Sequence, residues 1–156
     1  MANVNHSTLT DPFLHEPKGI ATASSGQVYV ANGSGSGTWT NKQTLIELSL
    51  EGYLEDVSSV EKVYVPIPFA GTVVKVLTVL EASISSADST VTVKNAAGAS
   101  MGTLTIAHSG SAAGDIDLLV PTSNNTVTAN SFITVESDGA STNTAKLRFV
   151  VVLDRT

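Results

Sequence analysis

The chain contains no cysteine among its 156 residues, which excludes disulfides, thiolate metal sites and cysteine nucleophiles. Charge is scarce as well, with Asp, Glu, Lys and Arg together at 14%, against roughly 25% in an average soluble domain. The eight Lys and Arg residues form no basic run and the formal net charge is -6, so no phosphate-neutralising surface is expected: no nucleic acid and no membrane among its partners. No apolar stretch approaches the roughly 18 residues of a membrane-spanning helix. The segment Met1 to His6 lacks the basic region and apolar run of a secretory leader, so manufacture in the cytoplasm is expected. Aromatic residues make up 5%, which leaves few rings for stacking sugars.

What is present falls into two kinds of sequence. Residues 1 to about 40 hold Pro12, Pro17 and five glycines from Gly19 to Gly37, with Phe13, Leu14, Ile20, Val28, Tyr29, Val30 and Trp39 scattered between them. Such a leader cannot bury enough surface alone to offset the entropy of ordering, so it is expected to be an extended arm that lies on something else. Gln27 to Val30, bounded by Gly26 and Asn32-Gly33, is expected to add as a strand to a neighbour. Trp39 stands where the arm meets the domain, as an anchor into a partner or against its own domain.

From Thr44 onward the pattern has period two, the signal of half-buried strands. Leu48 and Leu50 alternate with polar neighbours, as do Val63, Val65 and Ile67, then Val91 and Val93, Leu104 and Ile106, Ile133 and Val135, and Leu147 through Leu153. Ile116, Leu118 and Val120 alternate with Asp115 and Asp117, which predicts an apolar core face and a solvated acidic one. Gly71 to Leu80 is apolar on both faces apart from Lys75 and Thr78, and belongs mid-sheet. Pro66 and Pro68 mark a sheet edge or a strand end. Glu51 to Glu61 has room for one helical turn. The sum is an all-β domain, residues 41–156, a jelly-roll-like β-sandwich of about eight strands behind the arm of residues 1–40.

Motifs of chemistry are weak. Gly98-Ala99-Ser100-Met101-Gly102 matches the nucleophile-elbow spacing but lies between two strands, where a hairpin turn is the expectation; His108 with Asp115 or Asp138 would complete a triad only on paper. His15-Glu16 fails the zinc-protease pattern because Gly19 stands where the second histidine belongs. Gly33 to Gly37 lacks the Lys-Ser/Thr of a phosphate loop and reads as flexible linker. Asp115 and Asp117, two apart, share one strand face where they could hold a calcium with loop carbonyls, but the EF-hand pattern is absent and a solvated face is the expectation. The chain is therefore expected to have no catalytic residue, no cofactor and no metal.

Two stretches carry a family resemblance. Thr10 to Gly19, with Gly26 to Val30 and Gly35 to Trp39, resembles the leader of head decoration, cement and head-fibre proteins of tailed bacteriophages. Val65 to Val73, Gly110 to Gly114 and Ser137 to Gly139 are similar to the β-sandwich domain found in the same group. The resemblance implies a virion protein, assembled in the host cytoplasm, that binds the major capsid protein on the outer capsid surface as a homotrimer and stabilises the shell. It places the capsid-binding arm at Phe13, Leu14, His15, Glu16, Pro17, Lys18, Val28, Tyr29, Val30 and Trp39. The alternative expectation is a tail-fibre or head-fibre module that binds a host receptor or glycan.

Overall fold

The computed structural model describes residues 23–34, 37–41 and 47–155. The chain divides into two units, Met1–Leu45 and Ile46–Thr156.

Within the first unit, β1 (Gln27–Ala31) and β2 (Gly37–Asn41) form an antiparallel hairpin. The stretch expected to offer a strand to a neighbour pairs with its own continuation. The reason is local: the Asn32 side-chain oxygen accepts the Ser34 N–H at 2.9 Å and Gly33 takes φ of 77°, which together reverse the chain. The glycine-serine stretch read as linker thus begins as the hairpin loop and ends, at Gly37, inside β2.

The second unit carries β3 (Glu47–Leu54), β4 (Lys62–Ile67), β5 (Gly71–Leu80), β6 (Ser89–Asn95), β7 (Ser100–Ile106), β8 (Ile116–Leu119), β9 (Thr126–Val127), β10 (Ser131–Ser137) and β11 (Leu147–Arg155). One sheet runs β3-β11-β5-β8, with short β9 beside the start of β5; the other runs β4-β10-β6-β7. Every pairing is antiparallel. The sheets pack as a sandwich over one core, in which Leu54, Val76, Leu147, Phe149 and Leu153 of the first meet Val65, Val91, Val93, Leu104 and Ile133 of the second. β5 lies between β11 and β8, the central place its two apolar faces require. β4, which holds Pro66, is an edge strand, where a missing amide donor costs no ladder bond.

Phe149 is 1% exposed, the largest of the fully buried side chains, and it fits because its ladder partner is Gly52. A Cβ at Gly52 would stand 2.7 Å from Phe149 Cε2. No helix occurs among the described residues. The turn expected between Glu51 and Glu61 is a loop tied by Asp56, whose carboxylate accepts Ser58 N–H at 2.8 Å, Ser58 Oγ–H at 2.6 Å and Ala145 N–H at 3.4 Å. Those bonds satisfy amides that would otherwise favour a helical turn, and hydrogen bonding to Ser58 leads in holding the Asp56 pKa below its ordinary value.

Two β-bulges break the period-two reading. On β5, Lys75 pairs with Val152 and Val73 with Leu153, leaving Val74 as the extra residue. The inward set therefore switches from Gly71 and Val73 to Val76, Thr78 and Leu80. On β7, Met101 is the extra residue, so Met101 is buried although its parity differs from Leu104 and Ile106.

β8 corrects the sequence expectation outright. Ile116, Leu118 and Val120 are 65%, 57% and 58% exposed, whereas Asp117 and Leu119 are half-buried. The physical cause is Leu119, which packs against the core at a site cleared by Gly102: a Cβ there would meet Leu119 Cδ1 at 2.6 Å. Seating Leu119 inward turns Asp117 inward as well and sends the alternate apolar set to the outside.

Candidate functional site

Of the arm residues, Phe13, Leu14, His15, Glu16, Pro17 and Lys18 lie outside the described residues. The other four stand on the hairpin. Tyr29 and Trp39 are directly opposite each other, with ring centroids 5.3 Å apart at 62°, an edge-to-face pair. Val28 and Val30, opposite Thr40 and Thr38, occupy the other face. The structure thus brings Tyr29 to Trp39 and separates both from the two valines.

The motifs of hydrolysis come apart. Ser100 opens β7 and its Oγ accepts the Gly102 N–H at 3.1 Å, while His108 lies past the far end of that strand, roughly 20 Å away at about 3.3 Å per residue. The histidine partner is Asp88 rather than Asp115 or Asp138: Nδ1 and Oδ1 are 2.7 Å apart, and the same oxygen accepts the His108 N–H at 2.9 Å. That backbone bond is first among the causes that lower the Asp88 pKa. The nucleophile-elbow match is a hairpin turn, in which Asn95 Oδ1 accepts from Ala97 N–H at 3.1 Å and Ala99 N–H at 3.0 Å, with Gly98 at φ of 82°. Among the described residues no group of three His, Asp or Glu converges as a metal site.

What remains are the outer faces of the two sheets. On the β3-β11-β5-β8 sheet the registers align two rows of side chains across all four strands: Tyr53, Arg148, Val79 and Ile116, then Glu51, Val150, Leu77 and Leu118. A groove of about 490 Å³ runs along Tyr53, Val79, Arg148 and Val150. Two charged groups on this side are neutralised locally, Arg148 by Glu81 and Lys146 by Glu55 at 2.8 Å, with Lys146 Nζ also 4.6 Å from the Tyr53 ring centre. Removing the rest of Ile116, Leu118 and Val120 from water is worth about 3–5 kcal/mol in total, at about 1.5–3 kcal/mol per fully buried aliphatic side chain.

The outer face of the β4-β10-β6-β7 sheet is polar. Thr92 and Thr103 are ladder partners with hydroxyls 3.4 Å apart. Glu136 is held between two lysines, with Lys62 Nζ at 2.8 Å and Lys94 Nζ at 2.5 Å, and also accepts the Thr134 hydroxyl at 3.0 Å. The Lys62 bond first, then Lys94, pushes its carboxyl down to about 2. Beside this cluster Tyr64 and Phe132 make an edge-to-face pair at 5.2 Å, and Lys62, Tyr64, Lys94, Phe132 and Glu136 line a groove of about 260 Å³. The sequence carried part of this signal, since the alternation Lys62-Val63-Tyr64-Val65 places Lys62 and Tyr64 on one wet face; their meeting with Phe132 and Lys94 depends on pairing with β10 and β6.

No protein-family model matches the chain, and a search of curated proteins found no match.

Proposed function

We propose that the protein is a structural virion protein of a tailed bacteriophage: a decoration or cement protein that binds the outer surface of the major capsid protein shell as a homotrimer and stabilises it. The observation that supports this most is the apolar outer face of the β3-β11-β5-β8 sheet. A chain with so little charge that displays Ile116, Leu118 and Val120 is built to have them covered by another subunit. We read the strand order as a jelly roll, an antiparallel ribbon of the pairs β3-β11, β4-β10, β5-β8 and β6-β7 wrapped over itself. The leader resemblance supplies the context, with Tyr29 and Trp39 as the described part of the attachment segment.

The second reading, a fibre module that binds a receptor or glycan, draws support from Tyr64 and Phe132. They are exposed rings beside two lysines that share one carboxylate, an arrangement suited to stacking a sugar that bears an acidic group.

The experiment that decides is to mix the purified protein with undecorated mature capsids and, separately, with tails and host cells, then pellet each and count bound copies. Saturable binding to capsids is expected. Binding to tails or cells alone would overturn the decoration reading in favour of the second.

A further inference from the structure

We infer that the outer face of the β3-β11-β5-β8 sheet is the surface on which a second copy of this chain docks, with Glu51 of one copy meeting Lys75 of the next. The inference deepens the trimer reading by giving it an interface.

Size, charge and geometry all bear on it. The four strands, of 8, 9, 10 and 4 residues, at about 3.3 Å per residue and about 4.8 Å spacing give a sheet face on the order of 500 Å² before its rim is counted. That is over half the contribution of one partner, about 800 Å², to a standard interface, and the rim supplies the remainder. Glu51 and Lys75 both point outward and flank the central strand β11 on opposite sides, next to Val150 and Val152 respectively. Neither has an ion pair among the described residues, although the neighbouring Arg148 and Lys146 do. An acid on the β3 side and a base on the β5 side are complementary between copies, not within one, because two strand spacings separate them. A head-to-tail contact of this kind closes into a ring of three when its rotation is about 120°, which is the geometry the trimer reading requires. Strand addition along β8 is the competing mode, and Asp117 opposes it: an inward-pointing carboxylate on a four-residue edge strand is an obstacle to edge-to-edge pairing.

Sedimentation velocity of the full chain tests this, with circular dichroism to confirm the fold of each variant. Wild type is expected to sediment as an oligomer, and Leu118→Lys and Ile116→Lys as folded monomers. Glu51→Lys and Lys75→Glu should each weaken association about tenfold, about 1.4 kcal/mol, and the double reversal should restore it. A monomeric wild type at micromolar concentration, or oligomers that survive both lysine variants, overturns the docking face. Failure of the double reversal to rescue overturns the Glu51–Lys75 contact. An oligomer assembled as described that ignores capsids removes the decoration role and leaves the interface standing.

Discussion

The two outer faces of the sandwich are made by the same alternation on strands of the same core, yet one is largely aliphatic and the other carries threonines, two lysines on one glutamate and the ring pair Tyr64–Phe132. On the β4-β10-β6-β7 face every cation has an anion and the hydroxyls pair across strands, so water and the chain itself satisfy it. On the β3-β11-β5-β8 face the rows end in Ile116 and Leu118, which are 65% and 57% exposed. One side is finished by its own side chains, and on the proposal above the other is finished by a partner. The lesson is that the polarity of a strand face reports what lies against it in the assembly, which need not be the core.

Substitutions separate what the two faces share from what each owns. Phe149→Ala should have the largest effect, a loss of about 3–5 kcal/mol in urea unfolding, with both sheets lost in one transition because they share that ring's surroundings. Tyr64→Ala should cost about 1 kcal/mol from the ring pair with Phe132 and leave self-association unchanged in sedimentation. Glu136→Gln should cost about 1 kcal/mol at neutral pH. Because the Glu136 carboxyl is lowered to about 2 in the fold from an ordinary 4.5, its stabilisation is complete above 4.5 and disappears as pH falls toward 2. Melting curves of the two proteins should therefore converge across that window.

Asp117 behaves in the opposite sense. Burial first, and the Asp115 charge second, raise its pKa, so the ionised form burdens the fold at neutral pH. Asp117→Asn should raise the melting temperature slightly at pH 7, with the gain fading as acid protonates the wild-type group. Ile116→Thr should have the smallest effect on the dissociated chain, within about 0.5 kcal/mol as for an exposed site. A core isoleucine would lose far more, so a large loss in thermal unfolding would return Ile116 to the interior.

Much of the fold was legible in the residues, because period-two patterning reports a buried face directly. The hairpin β6-β7, the central place of β5 and the edge position of Pro66 all follow from local spacing. What was not legible depends on long-range pairing. The β8 face was misassigned because Ile116, Leu118 and Val120 outweigh Asp117 in any local reading, while the deciding contact, Leu119 over Gly102, joins strands that are not hydrogen-bonded neighbours. The bulges at Val74 and Met101 shift parity without a sequence mark. Lys62, Lys94 and Glu136 come from three strands that meet only through register, and the Asn32-Gly33 turn signal was noticed without its consequence, a hairpin closed on itself.

The pairing of β3 with β11 has a further consequence for how the molecule is made. β3 emerges from the ribosome first among the sandwich strands, and its ladder partner β11 follows about 100 residues later, some 5–20 s at usual elongation rates. β4 waits in the same way for β10, so each sheet closes only once its own last strand has emerged. Folding of this unit is consequently dominated by distant contacts, which makes it slow.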